Sequence, residues 1–238
     1  MRNKSSNRYS YTGHDSRESK FIHKNFNKTD SYSANFSGAV FENTAFIGAK
    51  FKFCSFYEAV FKSCYIRGAL FRGANLQNSL FKKCIISATN FDRCKMKGAK
   101  FESCKIISSP KITSPNSGIF LSGTEVFSIY PDIREFNSDL IKAIESLRLN
   151  NFIRRSSVLH RKEKKLDTVS LKVLVEDFGE QFLLDKLGEL PTLITKEFYT
   201  LSYISHFLHK LQFCDKNSVP GPAALGAPMS TNDRSSTD

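Results

Sequence analysis

Thiols and imidazoles are the groups in this sequence best able to hold a metal or attack a substrate. Cysteines stand at 54, 64, 84, 94, 104 and 214, and histidines at 14, 23, 160, 206 and 209. A zinc site needs converging ligands and is commonly announced by CxxC or HExxH spacing. Neither occurs. His206 and His209 could share a helix face, but no third ligand accompanies them. GxSxG, P-loop and GxGxxG signatures are absent as well. These residues give an expectation of no catalytic residues, no cofactor, no metal and no enzyme. Without CxxC pairs, reduced cytosolic thiols are the default reading, and the expected location is cytoplasmic.

Five of the six cysteines lie in a strict register, which leads to the elements that carry them. Every fifth position from 26 to 106 gives seventeen sites, and sixteen are large and apolar, with Ser31 the exception. Phenylalanine fills 26, 36, 41, 46, 51, 56, 61, 71, 81, 91 and 101. Ile66, Leu76, Ile86, Met96 and Ile106 complete the set. Two residues earlier runs a second register of Ala, Cys, Thr and Ser, broken only at Lys24. Helices repeat their faces at 3.6 residues and strands at 2, so a period of five belongs to a coil that turns a corner at each repeat. One large and one small inward residue per side would fill a narrow tube. The cysteines then read as small core residues.

Ala74-Asn75-Leu76-Gln77-Asn78 matches the A(D/N)LXX consensus of pentapeptide-repeat proteins, and Asn25-Phe26, Asn35-Phe36 and Asn90-Phe91 repeat its Asn-Leu/Phe step. Residues 22 to 109 therefore resemble that family. The resemblance implies a right-handed quadrilateral β-helix with four pentapeptides per coil, hence about four coils. Phe41, Phe61, Phe81 and Phe101 should stack in one ladder, and Phe51, Phe71 and Phe91 in another. Open solenoid ends need protection.

The outer surface is basic. Between 24 and 109 there are fourteen Lys or Arg against five Asp or Glu, a net of +9, within a chain of net charge +12. The family's gyrase-protecting members are held to mimic DNA with acidic surfaces, a pattern this sequence does not share. Lys52 and Arg72 should stack on one face, with Lys62 and Lys82 on the next. Val40, Val60 and Leu80 form an outward apolar line, and Leu70, Tyr65 and Ile85 are also large and outward. An aligned stripe can mark an interface. Its occupant is left open between the chain's own C-terminal part, a homodimer and a foreign partner.

After Ser109-Pro110 the register stops. The expected organisation is a disordered segment over 1–20, the β-helix over 21–109, a Pro/Gly-rich connector over 110–135, a helical domain over 136–214 and a disordered tail over 215–238. The helical domain should hold a helix capped near Asn137, two helices bent at Gly179, and a helix over 196–213. The Arg154–Lys165 basic run reads as a solvated loop. No stretch of eighteen apolar residues exists, so no membrane span is expected.

The fold class is thus a β-solenoid plus α, and the function a non-enzymatic protein-interaction platform. The candidate interface is Val40, Val60, Leu80, Lys62, Lys82, Lys52 and Arg72. The resemblance adds a resistance or self-immunity role shielding a target such as DNA gyrase, or another DNA topoisomerase. A host-directed bacterial effector is the alternative it offers. A basic nucleic-acid-binding protein is the alternative offered by charge.

Overall fold

The computed structural model describes residues 10–109, 112 and 118–217. Twelve three-residue strands wind in one direction: β1 Lys20–Ile22, β2 Asp30–Tyr32, β3 Val40–Glu42, β4 Lys50–Lys52, β5 Val60–Lys62, β6 Tyr65–Arg67, β7 Leu80–Lys82, β8 Ile85–Ser87, β9 Lys100–Glu102, β10 Lys105–Ile107, β11 Phe120–Ser122 and β12 Glu125–Phe127. All pair in parallel, each residue with the one twenty positions on, as in Phe41 with Phe61 and Ile66 with Ile86. Four pentapeptides therefore close one coil. A single coil carries Phe61, Ile66, Phe71 and Leu76 inward, and we name the four faces after them.

The corners explain why each strand is so short. Two residues after each large residue the backbone turns left-handed, at Ser63, Gly68, Gly73 and Asn78 in that coil, with φ of 51, 59, 67 and 57°. The turn breaks the strand and redirects the chain onto the next side. Backbone groups bond to the neighbouring coils, as when the Leu80 N–H donates to Ala59 O at 2.9 Å and the Phe71 N–H to Asn90 O at 2.8 Å. No face is left with a flat, unpaired interior edge.

Both Phe ladders form. Phe61 stacks on Phe41 and Phe81 at centroid distances of 4.9 and 4.5 Å, and Phe81 on Phe101 at 4.6 Å. Phe71 lies 5.6 Å from Phe51 and 5.5 Å from Phe91. Ser31, the polar break in the register, is fully buried, and its Oγ accepts the Tyr11 N–H at 2.9 Å.

Three boundaries differ from the sequence expectation. The Phe61 face is a six-stranded sheet, β1-β3-β5-β7-β9-β11, so the solenoid makes about five turns rather than four. Residues 10–20 are coil, not a disordered segment: Asp15 bridges Asn35, and Tyr11 stacks on Phe26 at 5.1 Å to cover that end. At the other end, β11 and β12 lie inside the expected connector and continue the ladder. Residues 1–9, 110–111, 113–117 and 218–238 lie outside the described residues.

Beyond the solenoid come α1 Ser138–Ser146, α2 Asn151–Ser156, α3 Thr168–Phe178, α4 Glu180–Lys186, α5 Leu190–Leu193 and α6 Leu201–Asn217. Asn137 caps α1 by accepting the Asp139 N–H, and Gly179 separates α3 from α4 with φ +80°. Arg154 and Arg155 belong to α2 rather than to a loop. The last helix reaches Asn217, into the segment expected to be disordered from 215. Leu140, Ile144, Leu147, Leu174, Leu183, Ile204 and Leu208 build a second core, which also takes in Tyr65, Ile85 and Ile107 from the solenoid. The helices thus flank the Ile66 face and do not cap an end.

Candidate interaction face of the solenoid

The Ile66 face is occupied by the helices, and two polar clamps fix that contact. Tyr65 is buried, and its hydroxyl donates to Asp167 Oδ2 at 2.8 Å. The other Asp167 oxygen accepts the Ser170 N–H at 3.0 Å, so the same carboxylate caps α3. Arg67 approaches Asp167 to 3.5 Å. Burial pushes the Tyr65 phenol well up, and the Asp167 charge adds to it. Burial also raises Asp167, against the Ser170 and Tyr65 hydrogen bonds and the Arg67 charge. In the second clamp Lys105 binds Glu125 on the next coil and Glu176 of α3, the latter at 2.6 Å, and Lys172 joins Glu176 at 3.2 Å. Burial works to lower Lys105, but the two carboxylates outweigh it and hold the ammonium raised.

Val40, Val60 and Leu80 lie elsewhere. They sit on consecutive rungs of the Phe61 face, where Val60 pairs with Val40 and with Leu80. All three point outward, are half-buried, and belong to neither core. The chain's own helices, one of the three occupants left open, are thus on Tyr65 and Ile85 instead. Lys62 and Lys82 flank the line on the same strands. Each pairs with an acid one rung away: Lys62 with Glu42 at 2.9 Å, Lys82 with Glu102 at 3.7 Å.

Lys52 and Arg72 lie on the Phe71 face, two pentapeptides away from Lys62 and Lys82. Half a coil separates them, so they face the opposite side of the tube rather than the adjacent one expected from sequence. Arg72 pairs there with Asp92 at 3.6 Å.

The repeat thiols are buried core residues. Cys64, Cys84 and Cys104 donate to the carbonyls of Phe41, Phe61 and Phe81, each at 3.3 Å. Thr44 and Thr124 make the same bond to Phe21 O and Phe101 O at 2.9 Å, at the two ends of this ladder. Burial raises the Cys54 thiol to about 11, and Cys84 lies well above its ordinary value for the same reason. Among the described residues no three His, Cys, Asp or Glu side chains converge as a metal would require. His160 is buried with Nε2 3.0 Å from Ile144 O, and burial lowers its pKa. His209 packs on Phe178 at 4.6 Å.

Two groups escaped sequence reasoning. Asp167 sits 102 residues from Tyr65, and nothing local marks that meeting. Lys97, by contrast, lines a surface cavity of about 400 Å³ with Gln77, Asn78, Gly98, Gly118 and Phe120. Lys100 lies on the next face, paired with Leu80. Counting twenty residues on from Val40, Val60 and Leu80 reaches Lys100 and then Phe120, so this signal was present.

The repeat has a known counterpart. A family model described as a pentapeptide repeat region matches residues 34–109. Among solved structures, the pentapeptide repeat protein Rfr23 from the cyanobacterium Cyanothece 51142 is 14% identical, with 49% of this chain and 86% of that one covered and a TM-score of 0.32. A pentapeptide repeat protein from the Arabidopsis thaliana thylakoid lumen is 17% identical over 55% of this chain and 77% of that one, with a TM-score of 0.22. QnrB1, a plasmid-mediated fluoroquinolone resistance protein, is 16% identical over 52% and 87%, with a TM-score of 0.18. No curated protein matches the sequence. The five-residue registers, the four-sided coil and the family match agree: this chain carries a pentapeptide repeat region.

Proposed function

We propose that the protein is a non-enzymatic binding platform whose contact surface is the Phe61 face of the solenoid. The observation that carries this reading is the division of labour between two faces. The helices cover Tyr65, Ile85 and Ile107, whereas Val40, Val60 and Leu80 stay aligned on successive rungs, half-buried and, among the described residues, part of neither core. An outward apolar line contributes nothing to filling the tube, and a partner that covers it gains the burial. Lys62 and Lys82, each already paired with a glutamate, form a polar rim beside it.

Affinity capture with the full-length chain tests the reading. Wild type and the Val60→Asp/Leu80→Asp variant are compared, each with and without nuclease. The reading expects protein partners that survive nuclease and are lost from the variant, because a carboxylate placed in a buried contact costs a few kcal/mol. Capture that is identical for both proteins, or that vanishes with nuclease alone, contradicts it.

A further inference from the structure

The apolar line has charged ends, and they define the chemistry of what it binds; this rests on the Phe61 face being the contact surface. Along the solenoid the row reads Lys20, Val40, Val60, Leu80, Lys100, Phe120. Lys100 is exposed, as are Lys95 and Lys97 just around the Gly98 corner. Among the described residues none of these three has an acidic group within ion-pair distance, whereas Lys62 and Lys82 both do. Lys20 stands exposed and alone at the other end of the line, so positive potential is greatest at the end where Lys95, Lys97 and Lys100 gather. Glu58, at the corner beside Val60, makes no ion pair among the described residues, so the middle of the line does not favour acids.

A second copy of the chain fits this face poorly. A two-fold axis through Val60 sets Lys20 against Lys100 in an antiparallel pairing, and Lys100 against Lys100 in a parallel one. A nucleic acid would take the lysine cluster but would leave the apolar line unused. A helix uses both. Rungs are spaced by about 4.8 Å and helical turns by about 5.4 Å, so over three rungs the two drift apart by only about 1 Å. We propose that the Phe61 face takes an amphipathic helix from a partner protein. Its apolar residues at i, i+4 and i+7 lie on Val40, Val60 and Leu80, and Asp or Glu residues at one end meet Lys95, Lys97 and Lys100.

A displayed library of helical peptides tests this on the full-length chain, with leucine fixed at i, i+4 and i+7 and the remaining positions random. Selected peptides should be enriched in Asp and Glu at one end only. Their binding should fall about tenfold or more with Lys97→Glu/Lys100→Glu and be lost with Val60→Asp/Leu80→Asp. Both variants should keep the wild-type far-UV spectrum, since all four positions point outward. Selected peptides without acidic bias, still lost with Val60→Asp/Leu80→Asp, would remove the acidic partner and leave the binding face standing. Absence of any peptide sensitive to Val60→Asp/Leu80→Asp overturns both. A 20-base-pair DNA duplex that binds, weakens with Lys97→Glu/Lys100→Glu and ignores Val60→Asp/Leu80→Asp would assign the cluster to nucleic acid and also overturn the proposal.

Discussion

Single residues in this protein are divided sharply by direction. Phe71 is fully buried between Phe51 and Phe91, and its truncation in Phe71→Ala should cost about 3–5 kcal/mol. Arg72, one residue on, is exposed and holds only a surface ion pair, so Arg72→Ala should cost under about 0.5 kcal/mol. Urea midpoints of the two variants check this, and equal shifts would refute the register. The cysteines should behave as threonine equivalents. Cys84→Thr keeps a donor for the Phe61 carbonyl, the bond Thr44 makes to Phe21, and should cost under about 1 kcal/mol. In the native state Cys54, Cys64, Cys84, Cys94 and Cys104 should resist a thiol reagent, because burial shuts the reagent out and also holds the Cys54 and Cys84 thiols raised, while the exposed Cys214 labels. These inward positions were legible in the sequence because their register repeats. The reason cysteine serves there, its hydrogen bond to the preceding coil, was not.

Elements hold together through corners and clamps. Gly48 sits at a corner with φ +64° and open space around it, so Gly48→Ala should cost about 1–2 kcal/mol, from backbone strain alone. At Gly98 an added Cβ would also fall 2.2 Å from Asn78 Oδ1, so Gly98→Ala should cost more. Thermal unfolding of both variants ranks them. The corner register was present in the sequence, since glycine recurs at 38, 48, 68, 73 and 98, but it is diluted because Ser63, Asn78, Lys83 and other non-glycine residues hold the same left-handed turn. The Tyr65–Asp167 clamp had no such signal. Tyr65→Phe leaves a buried carboxylate short of one donor and should cost about 1.5–3 kcal/mol. Limited proteolysis should then release the helical segment before the solenoid. The helices themselves were legible from their apolar spacing, but the face they cover was not, because it depends on contacts between residues far apart in sequence, such as Tyr65 with Asp167 and Lys105 with Glu176.

At the scale of the whole molecule, pH should act through His160. Burial depresses its folded pKa below the value near 6.5 of an unfolded chain, so the unfolded state binds more protons as pH falls. Stability from this group is present above about pH 6.5 and is lost as pH drops through the folded pKa. Urea midpoints should therefore fall between pH 7.5 and 5.5 in wild type and fall less in His160→Gln. Asp167 has the opposite sign, since its raised folded pKa makes its contribution larger in acid. The central claim is that one face of the tube is taken by the chain's own helices and another is kept for a partner. A photo-crosslinking residue placed singly at Val60 and at Arg72 on the Phe71 face, in the protein's native cells, tests it most directly. Position 60 should give discrete intermolecular products and position 72 none of the same mass. Products from 72 with none from 60 would contradict it.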